Sequence, residues 1–257
     1  VEGLTTENCS AYVGLHFLVG YLYGELVALP GGNGAVTQAL LNTLATDHGV
    51  HVQTQTEVLN ITAQDDSYMV TVREGDNTRK IQCDGVVFGG DKYIARDVIT
   101  GVPDQQRAAM ESIEYSDYAI SNASLSKPVW ADCFGGYFIE DHKGKSTELC
   151  RAGGVVVCNW AMSDNPPSKG GLTFLKPIAS RADQGKLASA REDELCQSAL
   201  AEARMTVTAM GHDPALVQSA KVHRWTRGLV SPRPGQMADD LFTKASAPIG
   251  GIVFANQ

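Results

Sequence analysis

The segment "LPGGNGAVTQALLNTL", residues 29–44, has the residue types of a phosphate-binding turn. Gly32 and Gly34 stand at the first two glycine positions of a dinucleotide fingerprint, where bare backbone approaches a pyrophosphate at a helix N-terminus. Thr37 stands at the third glycine position, and Pro30 lies inside the turn. We therefore expect these glycines to serve backbone packing and helix entry rather than nucleotide binding.

Few other residues have the spacing of a catalytic or metal site. The chain has no GxSxG nucleophile motif and no Gly-Lys-Ser/Thr after the turn, and its six cysteines form no CxxC pair. His48 and His51 are three residues apart but have no third ligand near them, so we predict no metal site. The His223-Arg224-Trp225 segment leaves two interpretations open: an aromatic side chain that faces a ligand, or a core tryptophan beside a solvated arginine.

Composition excludes some classes of partner. The 257 residues carry a formal net charge of −8 without any run of lysine and arginine, which disfavours nucleic acid and anionic membranes. The apolar stretch 14–29 is too short and too interrupted to span a bilayer, and no signal peptide is visible. The sequence names no compartment, although these features favour a soluble, cytoplasmic protein. The end, "GGIVFANQ", stops within a strand pattern, so we expect a piece of a longer protein.

The hydrophobic pattern predicts an α/β fold (mixed α+β), with a mixed sheet packed by helices. Helical spacing predicts helices over 5–23, 34–47, 91–99, 103–112 and 191–210. Alternation predicts strands over 50–64, 67–74, 79–83, 84–90 and 216–225, several strands within 117–178, and a closing strand in "IGGIVFA". The segment "VVFGGDKY" (86–93) is predicted to be a buried strand that ends in two glycines, where a flat ligand could approach the backbone.

The order of these elements is more specific than any single one. The run from "LPGGNGAVTQALLNTL" through "VHVQTQTEVLNITAQ" to "CDGVVFGGDKYIARDVI" resembles the central portion of flavin-dependent amine oxidases and phytoene-desaturase-like oxidoreductases. The segments "VHRWTRGLVSPRPGQ" and "IGGIVFANQ" resemble a later part of the same family. The resemblance covers most of 10–100 and 172–257, and 117–170 corresponds to the family's variable substrate region.

The resemblance implies cofactor-binding residues and a chemistry. Val58 stands where the family's backbone meets the adenine end of FAD, and Gly89 and Gly90 match the small residues beside the cofactor. Trp225 matches the aromatic residue near the isoalloxazine. The implied chemistry is hydride removal from a C–N or C–H bond to the flavin, with an amine, an amino acid or a polyene as substrate.

The implied domains are a partial FAD-binding domain over 1–114, a substrate-binding domain over 115–215, and a return to the FAD-binding domain over 216–257. The family's GxGxxG segment does not occur in these residues, so the pyrophosphate would lack its helix N-terminus. We therefore expect weak FAD binding by the isolated chain. Three explanations of the missing parts stay open: they lie on a companion polypeptide that completes the site, they have been removed, or they never existed in this product.

No catalytic residue is identified. Lys127 and Lys176 are the two lysines that could stand for the flavin-facing lysine of some amine oxidases, but neither lies in a matching motif. The sequence thus predicts an FAD-dependent oxidoreductase of the amine oxidase or desaturase type, present as a fragment or subunit. The alternative is a non-catalytic, flavoprotein-derived module that binds a small apolar ligand or a partner chain. An NAD-binding protein that uses the 29–37 loop ranks third.

Overall fold

A computed structural model describes residues 9–23, 29–46, 49–130, 133–137, 153–161, 167–178, 185 and 187–255. Within them the fold is α/β with mixed helices and sheets, as predicted. The helices are α1 (Ala11–Tyr23), α2 (Gly34–Thr46), α3 (Lys92–Val98), α4 (Asp104–Ser112), α5 (Glu192–Ala209) and α6 (Leu241–Ala245). The strands are β1 (Thr56–Gln64), β2 (Ser67–Glu74), β3 (Asn77–Cys83), β4 (Val86–Phe88), β5 (Tyr115–Leu125), β6 (Gly135–Tyr137), β7 (Gly154–Val157), β8 (Gly170–Ile178), β9 (Val217–Val230) and β10 (Ile252–Phe254).

The chain divides into two compact units. The first comprises Val1–Glu7, Val19–Asp47 and Tyr115–Leu229, and the second comprises Asn8–Leu18, His48–Glu114 and Val230–Gln257. Most of β9 therefore belongs to the first unit, whereas the predicted domains divide at 215/216. The assignment of FAD-binding and substrate-binding roles to these segments stays a prediction.

A five-stranded sheet with the order β6-β7-β8-β5-β9 dominates the first unit. β5 and β8 pair antiparallel, with Ala119 opposite Lys176 and Asn122 opposite Thr173. Alternate residues of each strand point to opposite faces, and one face is buried while the other is half-exposed. The buried face packs against α5, whose Leu195, Ala199 and Ala203 recur every four residues.

The second unit contains two small sheets. β1, β2 and β3 form an antiparallel meander, and β4 pairs with β10 in parallel. The Tyr68 hydroxyl accepts a hydrogen bond from the Gly251 N–H just before β10. A Cβ on Gly250 would lie 2.6 Å from that hydroxyl, so β10 is positioned by a contact that only glycine permits there.

Burial differs from the sequence-based expectation at β4. β4 was predicted to be buried, but Val87 is 70% exposed because the parallel pair has two strands and one open side. The apolar stripe of α2 is exposed as well, and Leu40 is 60% exposed. Helix α6 was not predicted, because a five-residue helix has too few residues to show a period. Residues 5–8 of the predicted first helix and residues 138–152 of the strand-rich stretch 117–178 lie outside the described residues.

Candidate functional site

The carboxyl ends of β4 and β10 lie side by side because the two strands are parallel. Phe88 pairs with Phe254 at the last register position, and their rings contact edge to face with 6.1 Å between centroids. The Ala255 N–H donates to the Phe88 carbonyl at 2.9 Å, which continues the pairing by one residue. The carboxyl edge of parallel strands is where α/β sheets bind nucleotides and other cofactors.

Gly89 and Gly90 follow β4 at this edge and differ in their surroundings. A Cβ on Gly89 would meet no atom within 4 Å, so the space above this backbone is open. A Cβ on Gly90 would lie 3.0 Å from the Phe88 ring, so this glycine lets the ring fold back beneath it. The open backbone at Gly89, beside an aromatic pair, is compatible with an extended aromatic cofactor such as a flavin dinucleotide.

Lys92 lies beneath the same edge and is fully buried. Its ammonium stands 5.0 Å from the centroid of the Phe254 ring, within the range of a cation–π contact. Burial lowers the pKa of this amine, and the nearby Asp91 carboxylate opposes the shift. The strand ends thus combine an open backbone, an aromatic pair and a buried cation.

Val58 lies in β1 and is 39% exposed. The register of β1 against β2 shifts between Val58 and Asn60, so Leu59 is an extra residue in a β-bulge. Bulges bend a strand and locally interrupt its ladder, and they are common next to active sites. The role of Val58 at the adenine end of a cofactor stays a prediction.

The glycine turn that resembles a phosphate loop uses its amides internally. Gly31 donates to the carbonyl of Ala161 at 2.9 Å, and Gly32 donates to that of Leu29 at 2.8 Å. Both glycines have positive φ, +88° and +74°, which residues with side chains rarely adopt. The N–H groups of Ala35 and Val36 donate to carbonyls within the turn. These amides are therefore engaged by backbone, in agreement with the expectation that the turn serves helix entry.

Trp225 lies in β9 and is 56% exposed, so it is not a core residue. Its neighbour Arg224 donates hydrogen bonds to the carbonyls of Leu187, Ala188 and Ala190. This guanidinium therefore binds the backbone before α5 and is not solvated only by water. Of the two interpretations left open by the sequence, the exposed aromatic side chain remains. Its contact with a flavin stays a prediction.

A distortion of β9 follows directly after Trp225. Arg227 has a φ of +55°, and its N–H donates at 2.8 Å to the carboxylate of the buried Asp117 on β5. A Cβ on Gly228 would lie 2.7 Å from the Cβ of Trp225. A backbone in the left-handed region and a required glycine thus determine where Trp225 lies.

The half-exposed face of the five-stranded sheet is called the open face here. It carries Tyr118, Ile120 and Asn122 of β5, Val156 of β7, and Thr173 and Leu175 of β8, all of which alternate with residues buried against α5. On β9, Ala220 and Val222 pack against the core clusters, so the alternation places Lys221, His223 and Trp225 on the open face.

Three polar side chains form a chain of hydrogen bonds on the open face. The Thr173 hydroxyl donates to Asn122 Oδ1 at 2.7 Å, and the Cys158 thiol lies 3.2 Å from Thr173 Oγ1. Either atom could be the donor in this second contact, and the Cys158 thiol also donates to the Val156 carbonyl at 3.7 Å. The strand alternation could have placed Asn122 on this face from sequence, but its pairing with Thr173 depends on strand register.

The structure distributes the predicted site residues over both units. Val58, Gly89 and Gly90 belong to the second unit, and Trp225 belongs to the first. Lys176, one of the two lysines considered above, forms an ion pair with Glu202 in the interior of the first unit. Lys127 lies just after β5 and is exposed. Among the described residues, no group of three His, Cys, Asp or Glu side chains could hold a metal ion.

The model of the flavin containing amine oxidoreductase family matches residues 4–257. The chain belongs to this family. The Oxidoreductase PigB of Serratia sp. (strain ATCC 39006) is 34% identical to it over an alignment of 258 residues that covers 100% of this chain and 38% of that protein. The chain therefore spans well under half the length of this relative. Family membership does not favour the alternative prediction of a non-catalytic module.

Two solved structures show that the fold of this family member is shared. Cyclohexylamine oxidase from Brevibacterium oxydans IH-35A superposes with a TM-score of 0.59 and 16% identity. A putrescine oxidase bound to putrescine superposes with a TM-score of 0.60 and 15% identity. Each match covers 88% of this chain and 47% of the other. Within the part of the chain that is described, no helix is long and apolar enough to cross a membrane.

Proposed function

We propose that this chain is part of an FAD-dependent oxidoreductase that removes a hydride from a C–N or C–H bond of a small substrate. The observation that carries the proposal is the open backbone at Gly89, at the carboxyl ends of β4 and β10, in a chain of a flavin-containing family. FAD, when bound, would supply the hydride-accepting chemistry. The residues that would hold it are Gly89 and Gly90 with Val58, and Trp225 would contribute an aromatic surface.

The chain's own residues would bind and orient the substrate. The open face offers half-buried apolar side chains, Ile120 and Leu175, around the hydrogen-bonded Asn122 and Thr173. Such a mixture of apolar lining and a few polar groups is typical of small-molecule sites. Trp225 and His223 extend the same face along β9. We assign substrate binding to this face.

The proposal includes polypeptide beyond these 257 residues that completes the flavin site. Two strands are fewer than a parallel sheet normally needs for stability, and Val87 leaves an apolar side chain exposed at β4. The apolar stripe of α2 is also exposed, at Val36, Leu40, Leu41 and Leu44. Contiguous exposed apolar side chains of this kind mark interaction surfaces. The greater length of the relatives supports the same proposal.

The experiment is native mass spectrometry and visible absorbance of the protein isolated from its natural source. We expect flavin absorbance, a mass greater than that of the 257 residues, and release of FAD on denaturation. A 257-residue monomer that is colourless and takes up no added FAD would refute both the cofactor and the companion polypeptide. FAD in a particle of only these residues would retain the cofactor and refute the companion.

A further inference from the structure

The orientation of the Asn122 side chain is determined by its neighbours on the open face. Oδ1 accepts the hydroxyl proton of Thr173, whose own oxygen faces the Cys158 thiol. The amide group is therefore turned so that Nδ2, which only donates, points away from the chain of hydrogen bonds. Asn122 is exposed, and Nδ2 makes no side-chain hydrogen bond within the described residues. Two N–H donors are thus presented on the open face.

The surroundings of these donors are apolar side chains, neutral hydroxyl groups, the Lys221 ammonium and the His223 imidazole. Ile120 lies two residues away on the same face of β5, and Leu175 lies two residues from Thr173 on β8. Lys221 and His223 stand on the same face of β9, the strand next to β5. Among the described residues of β5, β7, β8 and β9 on this face, none carries a carboxylate. This face therefore offers no negative charge to an ammonium group, and its acceptors are neutral hydroxyl and amide oxygens.

We infer that the open face binds an apolar molecule through a hydrogen-bond acceptor, such as a carbonyl or carboxylate oxygen, which receives the Asn122 Nδ2 protons. A protonated amine has only donors to offer, so it would leave the Asn122 Nδ2 protons without an acceptor, and it would find no carboxylate on this face to balance its charge. The inference rests on the proposed function, since it specifies the substrate class of the same face. It predicts selection against simple alkyl ammonium substrates.

The test uses three probes that share a phenyl ring: benzoate, acetophenone and benzylamine in its protonated form. Dissociation constants are measured by saturation-transfer NMR on the intact protein, with any polypeptide that accompanies it, because this signal does not require flavin. Benzoate and acetophenone should bind at least about tenfold more tightly than benzylamine. Equal binding of all three probes, tighter binding of benzylamine, or binding of none would overturn the inference.

Two substitutions distinguish hydrogen bonding by Asn122 from non-specific binding to the open face. Asn122→Asp keeps the size of the side chain and the hydrogen bond from Thr173, but it replaces the two N–H donors by an acceptor oxygen. The affinity for benzylamine should therefore rise about tenfold, and the affinity for benzoate should fall about tenfold. Thr173→Val removes the hydrogen bond that orients the Asn122 amide, so the difference in affinity between benzoate and benzylamine should become smaller. Ser124→Ala, on the same face but outside this chain of hydrogen bonds, should leave all three constants unchanged. If the three probes keep the same order of affinity in Asn122→Asp, the inference is contradicted, even if the protein binds flavin. If the order is reversed, the inference is supported, even if the protein does not bind flavin.

Discussion

Lys176 of β8 forms an ion pair with Glu202 of α5 in the interior of the first unit. The side chains are 3% and 10% exposed, and they lie on the face of the sheet that otherwise buries Phe174, Leu172 and Ile178. Taking two charges out of water costs free energy that their attraction only partly offsets. The pair therefore matters most when one member is lost, because the other is then left charged in an apolar core.

We expect Lys176→Met to lower the free energy of unfolding by about 3–5 kcal/mol, because it leaves the Glu202 carboxylate buried without its cation. The double variant Lys176→Met/Glu202→Leu should unfold with the same or a higher free energy than the natural chain. Urea denaturation of the three proteins measures both values. A single variant as stable as the natural chain would show that the pair is not buried in solution.

Asp117→Ala removes the acceptor of the Arg227 N–H. An unsatisfied, partly buried amide costs about 1–3 kcal/mol, so the free energy of unfolding should fall by that amount. Asp117→Asn retains an acceptor oxygen of the same geometry and should recover most of the loss. If the asparagine variant is as unstable as the alanine variant, the charge rather than the hydrogen bond is what β9 needs.

Gly228→Ala should displace Trp225, because the added Cβ would lie 2.7 Å from the Trp225 Cβ and 3.3 Å from the Cβ of Tyr118. The expected result is a shifted emission maximum of Trp225 and a destabilisation of about 1–3 kcal/mol. The emission of Trp225 is obtained by subtracting the spectrum of Trp225→Phe. Ser219→Ala on the same strand is the control and should leave the emission unchanged.

Lys92 should make stability depend on alkaline pH. Its pKa in the folded chain lies below that of a solvated lysine because the amine is buried, so the folded state loses this proton first as pH rises. Between the two pKa values the unfolded state binds more protons, and the free energy of unfolding therefore rises with pH. Below the folded pKa, the full cost of the buried charge is present.

The measurement compares urea denaturation of the natural chain and Lys92→Met from neutral pH to about 10.4, the pKa of a solvated lysine. The difference in unfolding free energy between the two proteins should change with pH in the direction that favours the natural chain at high pH. Lys80→Met, at an exposed position of β3, is the control. A pH-independent difference for Lys92→Met would contradict the burial of its ammonium.

Gly89→Ala tests the open backbone at the end of β4. The added methyl group meets no atom of the chain, so the stability of the protein should not change. If FAD approaches this backbone, the methyl group should weaken its binding at least about tenfold, measured by fluorescence titration of the intact protein. Gly34→Ala, another position where a Cβ has open space, should leave FAD binding unchanged.

Local patterns were enough to predict many elements of the fold. Helical spacing over 191–210 predicted α5, because helical side chains three or four residues apart share a face. Alternation predicted the β1–β2 hairpin and most of β9, because strand side chains alternate between faces. The bounds of β4 and the existence of α6 could not be predicted with the same accuracy, since three or five residues do not establish a period.

The sequence by itself determined the family and the fold class, because the order of helices, hairpin and glycine-ended strand is preserved along the chain. Only the tertiary structure decided which side chains act together. Asn122 and Thr173 are 51 residues apart in sequence and directly opposite each other between β5 and β8. The Arg227 N–H donates to Asp117, 110 residues away in sequence, because the backbone at Arg227 has a positive φ that an arginine does not predict. Strand register and backbone conformation arise from packing of the whole sheet, so the pairing of Asn122 with Thr173 and that of Asp117 with Arg227 could not be read from local sequence.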